Sequence, residues 1–523
     1  MAEVYLYDTT LRDGAQQEGI SLSLDDKLKI TKKLDEAGIS YIEGGWPGSN
    51  PKDEEYFKEV KKLKLNNSIV TSFGSTRKVN SQANNDANLL ALVESGTKVA
   101  TIVGKTWDLH VTDILNTDLT EGLNMISESI AFLKSKGQRV FLDAEHFFDG
   151  FKSNKDFTLQ CLKKAAESGV ESIVLCDTNG GSMPSEIQQI IKEVKNNIDT
   201  QLGIHTHNDC ELAVANSLIA VDSGATQVQG TLNGYGERCG NANILSIAAN
   251  LSLKMNIEVL NQVQLSRLTE LHKFASEIIN IPPNNFQPYV GANAFNHKGG
   301  LHASAVMKLA DSYQHIKPEL VGNTTGMTVS ELSGRGNITF KLKELGFPSS
   351  KISANVAELS KEIKFRESKG HQYEGAEASF ELLAHRNINE VVPMFELIDY
   401  RVIVESKSSL IEDTLTEATV KLRIGSEIRH TASVGNGPVN AIDLALRKAL
   451  LEDYPTLDSV RLTDYKVRVI DQGSGTEAFV RVLIDSTDGN RSWQTMGAST
   501  NIIEASWIAV VDSLEYWNLH FNK

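Results

Sequence analysis

Short β-rich segments alternate with helical stretches through the first half of the chain, and this beat limits the fold more than any other feature. The segments lie at residues 4–7, 41–43, 69–73, 98–103, 139–142, 172–176, 201–205 and 226–230. Between the first two, Ser23-Leu24-Asp25-Asp26 reads as a capping-box-like start of a helix that continues through LKITKKLDEAG to Gly38. Glu36-Ala37-Gly38, Glu94-Ser95-Gly96, Glu167-Ser168-Gly169 and Asp222-Ser223-Gly224 each place a Gly between a helix and the next strand. Glycine suits that position because a helix commonly ends on a left-handed residue. Strand then helix, eight times in about 240 residues, predicts an α/β fold of the (β/α)8 barrel type. A doubly wound parallel sheet is the alternative. The count of eight, with polar motifs at the strand ends, favours the barrel.

The rest of the chain changes character twice. After a loop at Ile281-Pro282-Pro283-Asn284-Asn285 it becomes helical, with Gly-rich breaks such as Ser333-Gly334-Arg335-Gly336-Asn337. That break lacks a following Lys-Ser/Thr, so it reads as a turn rather than a phosphate loop. From about residue 392 two units of strands followed by a helix resemble each other. Glu417-Ala418-Thr419-Val420-Lys421-Leu422 is echoed sixty residues on by Glu477-Ala478-Phe479-Val480-Arg481-Val482. The expected division is a barrel at 1–275, helical linker subdomains at 276–391, and a duplicated α+β module at 392–523 suited to ligand binding or dimerisation.

Composition narrows the class. With 41% hydrophobic and 23% charged residues over 523, the chain is globular rather than disordered. A net charge of −15 argues against a nucleic-acid partner. No apolar run approaches the ~18–20 residues of a membrane span, so no membrane association is expected. The N-terminus MAEVYLYDTT has no basic n-region, so no secretory signal is expected. Cys161, Cys176, Cys210 and Cys239 form no C-x-x-C pair, which excludes a zinc knuckle or thioredoxin motif and fits a reducing cytoplasm.

A barrel carries its active site at the C-terminal ends of its strands. There the sequence places Asp8-Thr9-Thr10-Leu11-Arg12-Asp13-Gly14, Asp143-Ala144-Glu145-His146, Asp177-Thr178-Asn179-Gly180, His205-Thr206-His207-Asn208-Asp209 and Gly236-Glu237-Arg238-Cys239-Gly240-Asn241. Residues i and i+2 of a strand share a face, so His205 and His207 make half of a divalent-metal site; a hydrogen-bonded surface pair is the other reading. Strands one, seven and eight are neighbours in a closed barrel, which offers Asp13 and Asn241 as further ligands. Such mixed O/N ligation fits a catalytic metal better than a closed structural zinc site. Arg12 is a candidate for gripping an oxyanion or carboxylate, or for a salt bridge to an acid under the mouth. Asp143 and Glu145 point inward, as structural acids or as part of proton transfer. Thr178 is a hydroxyl donor or a cap on the next turn.

These motifs, with Ala15-Gln16 after the first and Ala242 after the last, resemble the 2-isopropylmalate synthase / homocitrate synthase / citramalate synthase family. The resemblance spans essentially the whole chain. It implies a metal-dependent acyltransferase on a barrel, with a C-terminal allosteric domain that binds an end-product amino acid. Glu43-Gly44-Gly45-Trp46-Pro47-Gly48-Ser49-Asn50-Pro51 and Ser72-Phe73-Gly74-Ser75-Thr76-Arg77 are most similar to the citramalate branch. The resemblance implies Asp13, His205, His207 and Asn241 as ligands of a divalent cation (Mg, Mn or Zn). It implies Arg12, Gln16 and Thr178 as contacts to the 2-oxo acid, and Glu145 as the acid of strand five, although His146-Phe147-Phe148 departs from the family's commoner Asp-Ala-x-Arg. His297-Lys298-Gly299-Gly300-Leu301-His302-Ala303 resembles the family's His-x-x-Gly-x-His segment. His302, with Tyr313 nearby, is thereby implied in proton transfer, and an obligate homodimer is implied because that segment reaches a partner's barrel. The implied substrates are acetyl-CoA and pyruvate, and the implied feedback inhibitor is isoleucine. Rival readings are the same condensation on 2-oxoisovalerate, an HMG-CoA-lyase-like cleavage, and an amino-acid sensor without catalysis.

Overall fold

The computed structural model describes residues 3–330, 334–388, 393–405, 415–470 and 477–521. The chain forms two compact units. One comprises Met1–Phe295 and Ile316–Thr325, the other Asn296–His315 and Gly326–Lys523. Ser333 and the expected boundary at 391/392 lie outside the described residues; the rest of the expected Gly-rich break, 334–337, is the start of the helix Arg335–Glu344, with Gly334 at its N-cap.

The first unit is a closed barrel of eight parallel strands in sequential order: β1 (Tyr5–Asp8), β2 (Tyr41–Glu43), β3 (Ile69–Ser75), β4 (Val99–Lys105), β5 (Arg139–Glu145), β6 (Ser172–Asp177), β7 (Gln201–Thr206) and β8 (Gln227–Gly230). β8 closes on β1, with Tyr5 opposite Gln227 and Asp8 opposite Gly230. The helix Leu24–Glu36 begins with the expected capping box: Ser23 accepts from Asp26 N, and the Asp26 side chain returns to Ser23 N. Gly38, Gly96, Gly169 and Gly224 all have positive φ, which an L side chain resists.

Inward and outward positions alternate along each strand. Outward residues such as Ile42, Ile102, Leu142, Ile173 and Val228 join helix residues such as Ile30, Leu34, Ile126, Ile130 and Ile187 in one apolar layer. Inside, Tyr7, Tyr41, Val99 and Phe141 form a separate plug. The Tyr7 hydroxyl lies 2.7 Å from Glu43 Oε2, 2.8 Å from Thr71 Oγ1 and 2.7 Å from Thr101 Oγ1, so one buried phenol ties four strands together beneath the mouth. β3, β4 and β5 run two or three residues beyond the expected segments. Their last residues are polar, so alternation of apolar residues stops before the ladder does, and Lys105 pairs across it with Glu145.

In the second unit, the helices Arg335–Glu344, Ser349–Ser368 and Glu377–Asn387 bury Ile338, Leu342, Leu359, Ile363 and Phe380. Two three-stranded antiparallel sheets follow. Glu396–Glu405, Leu415–Ile424 and Glu427–Gly435 precede the helix Pro438–Leu450; Arg461–Val469, Val480–Thr487 and Ser492–Ser499 precede Ile502–Phe521. The duplication is real, but its register differs from the sequence echo. Val420 faces Tyr400 and Ile484 faces Tyr465, and a bulge precedes each tyrosine, at Leu397/Asp399 and Leu462/Asp464. Val420 is therefore equivalent to Ile484, four residues past its partner in the echo. A slip by an even number keeps every side chain on the same face, so alternation alone does not detect it. No helix of the described residues is long and apolar enough to cross a membrane.

Candidate active site at the barrel mouth

β1 ends in a turn locked by its own side chains. Asp8 Oδ1 accepts from Thr10 N at 2.9 Å and Oδ2 from Thr10 Oγ1 at 2.8 Å, while Thr10 Oγ1 accepts from Leu232 N at 2.8 Å. Burial pushes the Asp8 carboxyl up to about 7. The turn carries Arg12 and Asp13 onto the mouth.

Asp13, His205 and His207 converge there, each with a ligand atom within 4.8 Å of the others, all buried. Asp13 Oδ2 lies 3.2 Å from His205 Nε2 and 3.9 Å from His207 Nε2. The two rings face the same side with centroids 5.1 Å apart, as i and i+2 at a strand end require. Burial opposes the Asp13 charge, but Arg12 and the hydrogen bond from His205 outweigh it and hold the carboxyl well below the usual range. Burial and the neighbouring His205 pull His207 down to about 4, leaving a neutral imidazole. Burial also opposes charge on His205, but Asp13 raises it.

Asn241 joins the cluster through an isolated bridge with His207. Its Nδ2 lies 2.8 Å from Asp13 Oδ2 and 3.4 Å from His205 Nε2, while its Oδ1 is buried among the described residues without a hydrogen-bond partner. Turning the amide by half a rotation puts the carbonyl oxygen beside the carboxylate and the imidazole, where it suits a cation. One carboxylate, two imidazoles and one amide carbonyl are a donor set that fits a divalent metal.

Arg12 makes the expected salt bridge to an acid under the mouth and also faces the mouth cavity. Its Nε donates to Glu43 Oε1 at 2.6 Å, its Nη1 lies 3.5 Å from Asp13, and its guanidinium sits 3.9 Å over the Phe73 ring. The salt bridge thus orients a guanidinium that lines a cavity of about 230 Å³. Gln16, Glu145 and Thr178 line the same cavity, with Trp46, Phe73, Val103, Asp143, Cys176 and Glu237. Thr178 Oγ1 accepts from His146 N at 2.9 Å, so it also caps the turn after β5 and keeps its own proton for another acceptor. Glu145 pairs with Lys105. Burial and nearby Glu43 push Asp143 up to about 7.

The sequence reading missed Glu43, Lys105, Gln229 and Trp46 as parts of this site. Glu43, Lys105 and Gln229 sit at or near strand ends, the same positional signal that found Glu145. Trp46 follows β2 and is fixed by its backbone N to Asp53 Oδ2 at 2.9 Å and by Nε1 to Asn88 Oδ1 at 2.7 Å. His302 and Tyr313 lie on the second unit, exposed, with their rings stacked at 4.3 Å.

A closed parallel barrel with an acid–imidazole cluster at the C-terminal ends of its strands is the architecture of a barrel enzyme. Residues 3–275 match the HMGL-like family model, 289–370 the homocitrate synthase post-HMGL domain-like model, and 374–517 the LeuA allosteric (dimerisation) domain. The chain belongs to the HMGL-like family. It is 53% identical to an (R)-citramalate synthase of Aquifex aeolicus, covering 99% of this chain and 98% of the relative. It is 51% identical to an (R)-citramalate synthase of Geobacter sulfurreducens, covering 99% and 98%. A 2-isopropylmalate synthase of Methanocaldococcus jannaschii is 32% identical over 98% of this chain and 94% of its own length.

Proposed function

We propose that the chain is an (R)-citramalate synthase, joining the acetyl group of acetyl-CoA to pyruvate and hydrolysing the thioester. The observation that carries this reading is a full-length likeness to (R)-citramalate synthases, 44–53% identical, coupled to the Asp13–His205–His207 cluster beside Arg12. In balance, a C–C bond forms between the acetyl methyl carbon and the ketone carbon. Water then cleaves the C–S bond, releasing CoA as a thiol and leaving citramalate.

Asp13, His205, His207 and Asn241 would hold a divalent cation, which supplies Lewis acidity toward the 2-oxo group. Arg12, fixed by Glu43, binds the carboxylate of the 2-oxo acid and stabilises negative charge as the ketone becomes an alkoxide. Thr178 donates its free proton to the same carboxylate, and Gln16 adds an amide contact. Trp46, Phe73 and Val103 give the cavity an apolar wall. We assign proton transfer at the acetyl methyl to His302, with Tyr313 stacked on it and Glu145 as the acid on the barrel side.

Three family models fall in the same order as the division 1–275, 276–391 and 392–523, the last of them beginning at residue 374 rather than 392. We assign the last part a feedback role, with isoleucine as the effector and a homodimer as the assembly; in the first repeat Gly437 leads into a helix whose N-terminal N–H groups suit a carboxylate, whereas in the second Asn501 caps the helix itself. Four free cysteines suit the reducing cytoplasm. The test is thiol release from acetyl-CoA with a panel of 2-oxo acids, with and without isoleucine, leucine or valine. Pyruvate is expected to give the highest kcat/KM and isoleucine the strongest inhibition. Faster turnover of 2-oxoisovalerate would replace this reading with isopropylmalate synthesis, which the 32% identical relative represents.

A further inference from the structure

Beneath the candidate ligands lies a polar chain that the condensation itself does not use. Gln229 on β8 is fully buried. Its neighbour Val228 faces the apolar layer, so alternation turns Gln229 into the barrel, where an aliphatic residue would be the ordinary filling. Its Oε1 lies 2.8 Å from His205 Nδ1, and its Nε2 donates to Asp143 Oδ1 at 3.0 Å. The two ends of the amide are thus used differently. With Nε2 committed to the carboxylate, Oε1 can only accept, so the proton of a neutral His205 belongs on Nδ1. The Nε2 lone pair then faces Asp13.

His207 has a contrasting environment. Its Nδ1 lies 3.3 Å from Arg238 Nη2, a donor, which also donates to Thr178 O at 2.8 Å and Asp209 Oδ2 at 2.9 Å. Both Nη2 hydrogens are thereby taken by oxygens, so this contact leaves the tautomer of His207 unfixed. Of the two imidazoles, only His205 has an outer partner that fixes its tautomer.

We propose that Gln229, oriented by Asp143, is a positioning residue that fixes the tautomer and ring angle of His205 for metal binding. The proposal rests on reading Asp13, His205 and His207 as metal ligands. Outer partners of ligating histidines typically carry 10- to 100-fold in metal affinity.

The experiment titrates Co(II) into the metal-free full chain and reads both the dissociation constant and the visible d–d spectrum. Gln229→Leu removes both hydrogen-bonding ends at similar volume and is expected to raise the Co(II) dissociation constant about 10- to 100-fold with an altered spectrum. Gln229→Glu keeps an acceptor for Nδ1 and is expected to recover most of the affinity and the wild-type spectrum. Gln229→Leu binding Co(II) within twofold of wild type with the same spectrum would overturn the proposal. Failure of the wild-type chain to bind Co(II) would instead overturn the underlying metal reading. Should Gln229→Leu not fold, 15N NMR of the Zn(II)-loaded wild type decides: a protonated Nδ1 on His205 is expected, and metal on Nδ1 refutes the proposal.

Discussion

Glu43→Gln separates the orientation of Arg12 from its charge. Glu43 is fully buried, and its two oxygens are taken by Arg12 Nε at 2.6 Å and the Tyr7 hydroxyl at 2.7 Å. Glutamine is nearly isosteric and still offers a carbonyl to Nε. Tyr7 can turn its proton toward Thr71 or Thr101 and accept from the new amide. The loss is therefore mainly that of a charge-assisted bond, worth roughly 1.5–3 kcal/mol against 0.5–1.5 for a neutral one. Arg12 keeps its place over Phe73, but its fork gains reason to swing toward Asp13, already 3.5 Å away. A displacement near 1 Å at a reacting centre can cost on the order of 100-fold, or about 2.7 kcal/mol. The expected result is a 10- to 100-fold fall in kcat/KM for pyruvate, read by thiol release, with circular dichroism unchanged. A folded Glu43→Gln enzyme within twofold of wild type would refute the idea that this ion pair aims the guanidinium.

His207→Ala should abolish turnover and weaken Mn(II) binding at least 100-fold while leaving the fold intact, since it removes a ligand but no core contact; unchanged binding in calorimetry would remove His207 from the ligand set. Asp8, pushed up to about 7 by burial, holds its proton more tightly folded than unfolded. Its contribution to stability is full below the unfolded carboxylate value of about 4 and is lost as the pH rises through about 7. Asp8→Asn should therefore flatten the Tm-versus-pH curve between those limits, and an unchanged slope would contradict the assignment. Gly45 has φ +141° and a Cβ there would come 2.5 Å from Asp53 Oδ2, the acceptor of Trp46 N. Gly45→Ala should destabilise the barrel by roughly 1–3 kcal/mol in denaturant titration and raise the ratio of 2-oxobutanoate to pyruvate turnover as the Trp46 wall shifts.

Much of the barrel was legible because Gly38, Gly96, Gly169 and Gly224 mark helix ends with positive φ, and the strands carry short runs of apolar residues. The ligand cluster was legible for a different reason. His205 and His207 obey a period of two, and closure of the barrel brings the ends of β1 and β8 beside them. Glu43, Lys105 and Gln229 were not legible, because each is a single polar residue whose role depends on a partner in another strand: Arg12 from β2 to the β1 turn, Glu145 from β4 to β5, His205 from β8 to β7. Sequence shows which residues end a strand but not which rotamers meet across the axis. The repeat in the second unit illustrates a related limit. Alternation gives the face of every residue in both copies, yet only the paired bulges before Tyr400 and Tyr465 fix which residue matches which.

The barrel mouth also holds an imbalance of charge that determines how it responds to a cation. Asp8, Asp13, Glu43 and Asp143 are all buried there. One guanidinium, Arg12, serves Glu43 and Asp13, while Asp8 and Asp143 are pushed up to about 7. Burying carboxylates without matching cations is costly, so the mouth strains against its own acids. A divalent ion that binds the folded barrel and not the unfolded chain relieves this by mass action, at about 2.7 kcal/mol when its concentration is 100 times the dissociation constant. For a domain of roughly 250 residues that corresponds to a rise of about 5–10 °C in the barrel's unfolding transition. The C-terminal unit has its own apolar core, so its transition should not move. Scanning calorimetry with MnCl2 against EDTA distinguishes the two transitions, and Asp13→Asn supplies the control. Removing that carboxylate should abolish most of the metal-dependent rise and also lower the Tm of the metal-free barrel near neutral pH, since, against burial, Arg12 and His205 hold the Asp13 carboxyl well below the usual range and its charge therefore stabilises the fold. A metal-free Asp13→Asn barrel more stable than metal-free wild type would mean that burial outweighs the bonds of Asp13 to Arg12, Asn241 and His205, and would refute this account of the charge at the mouth.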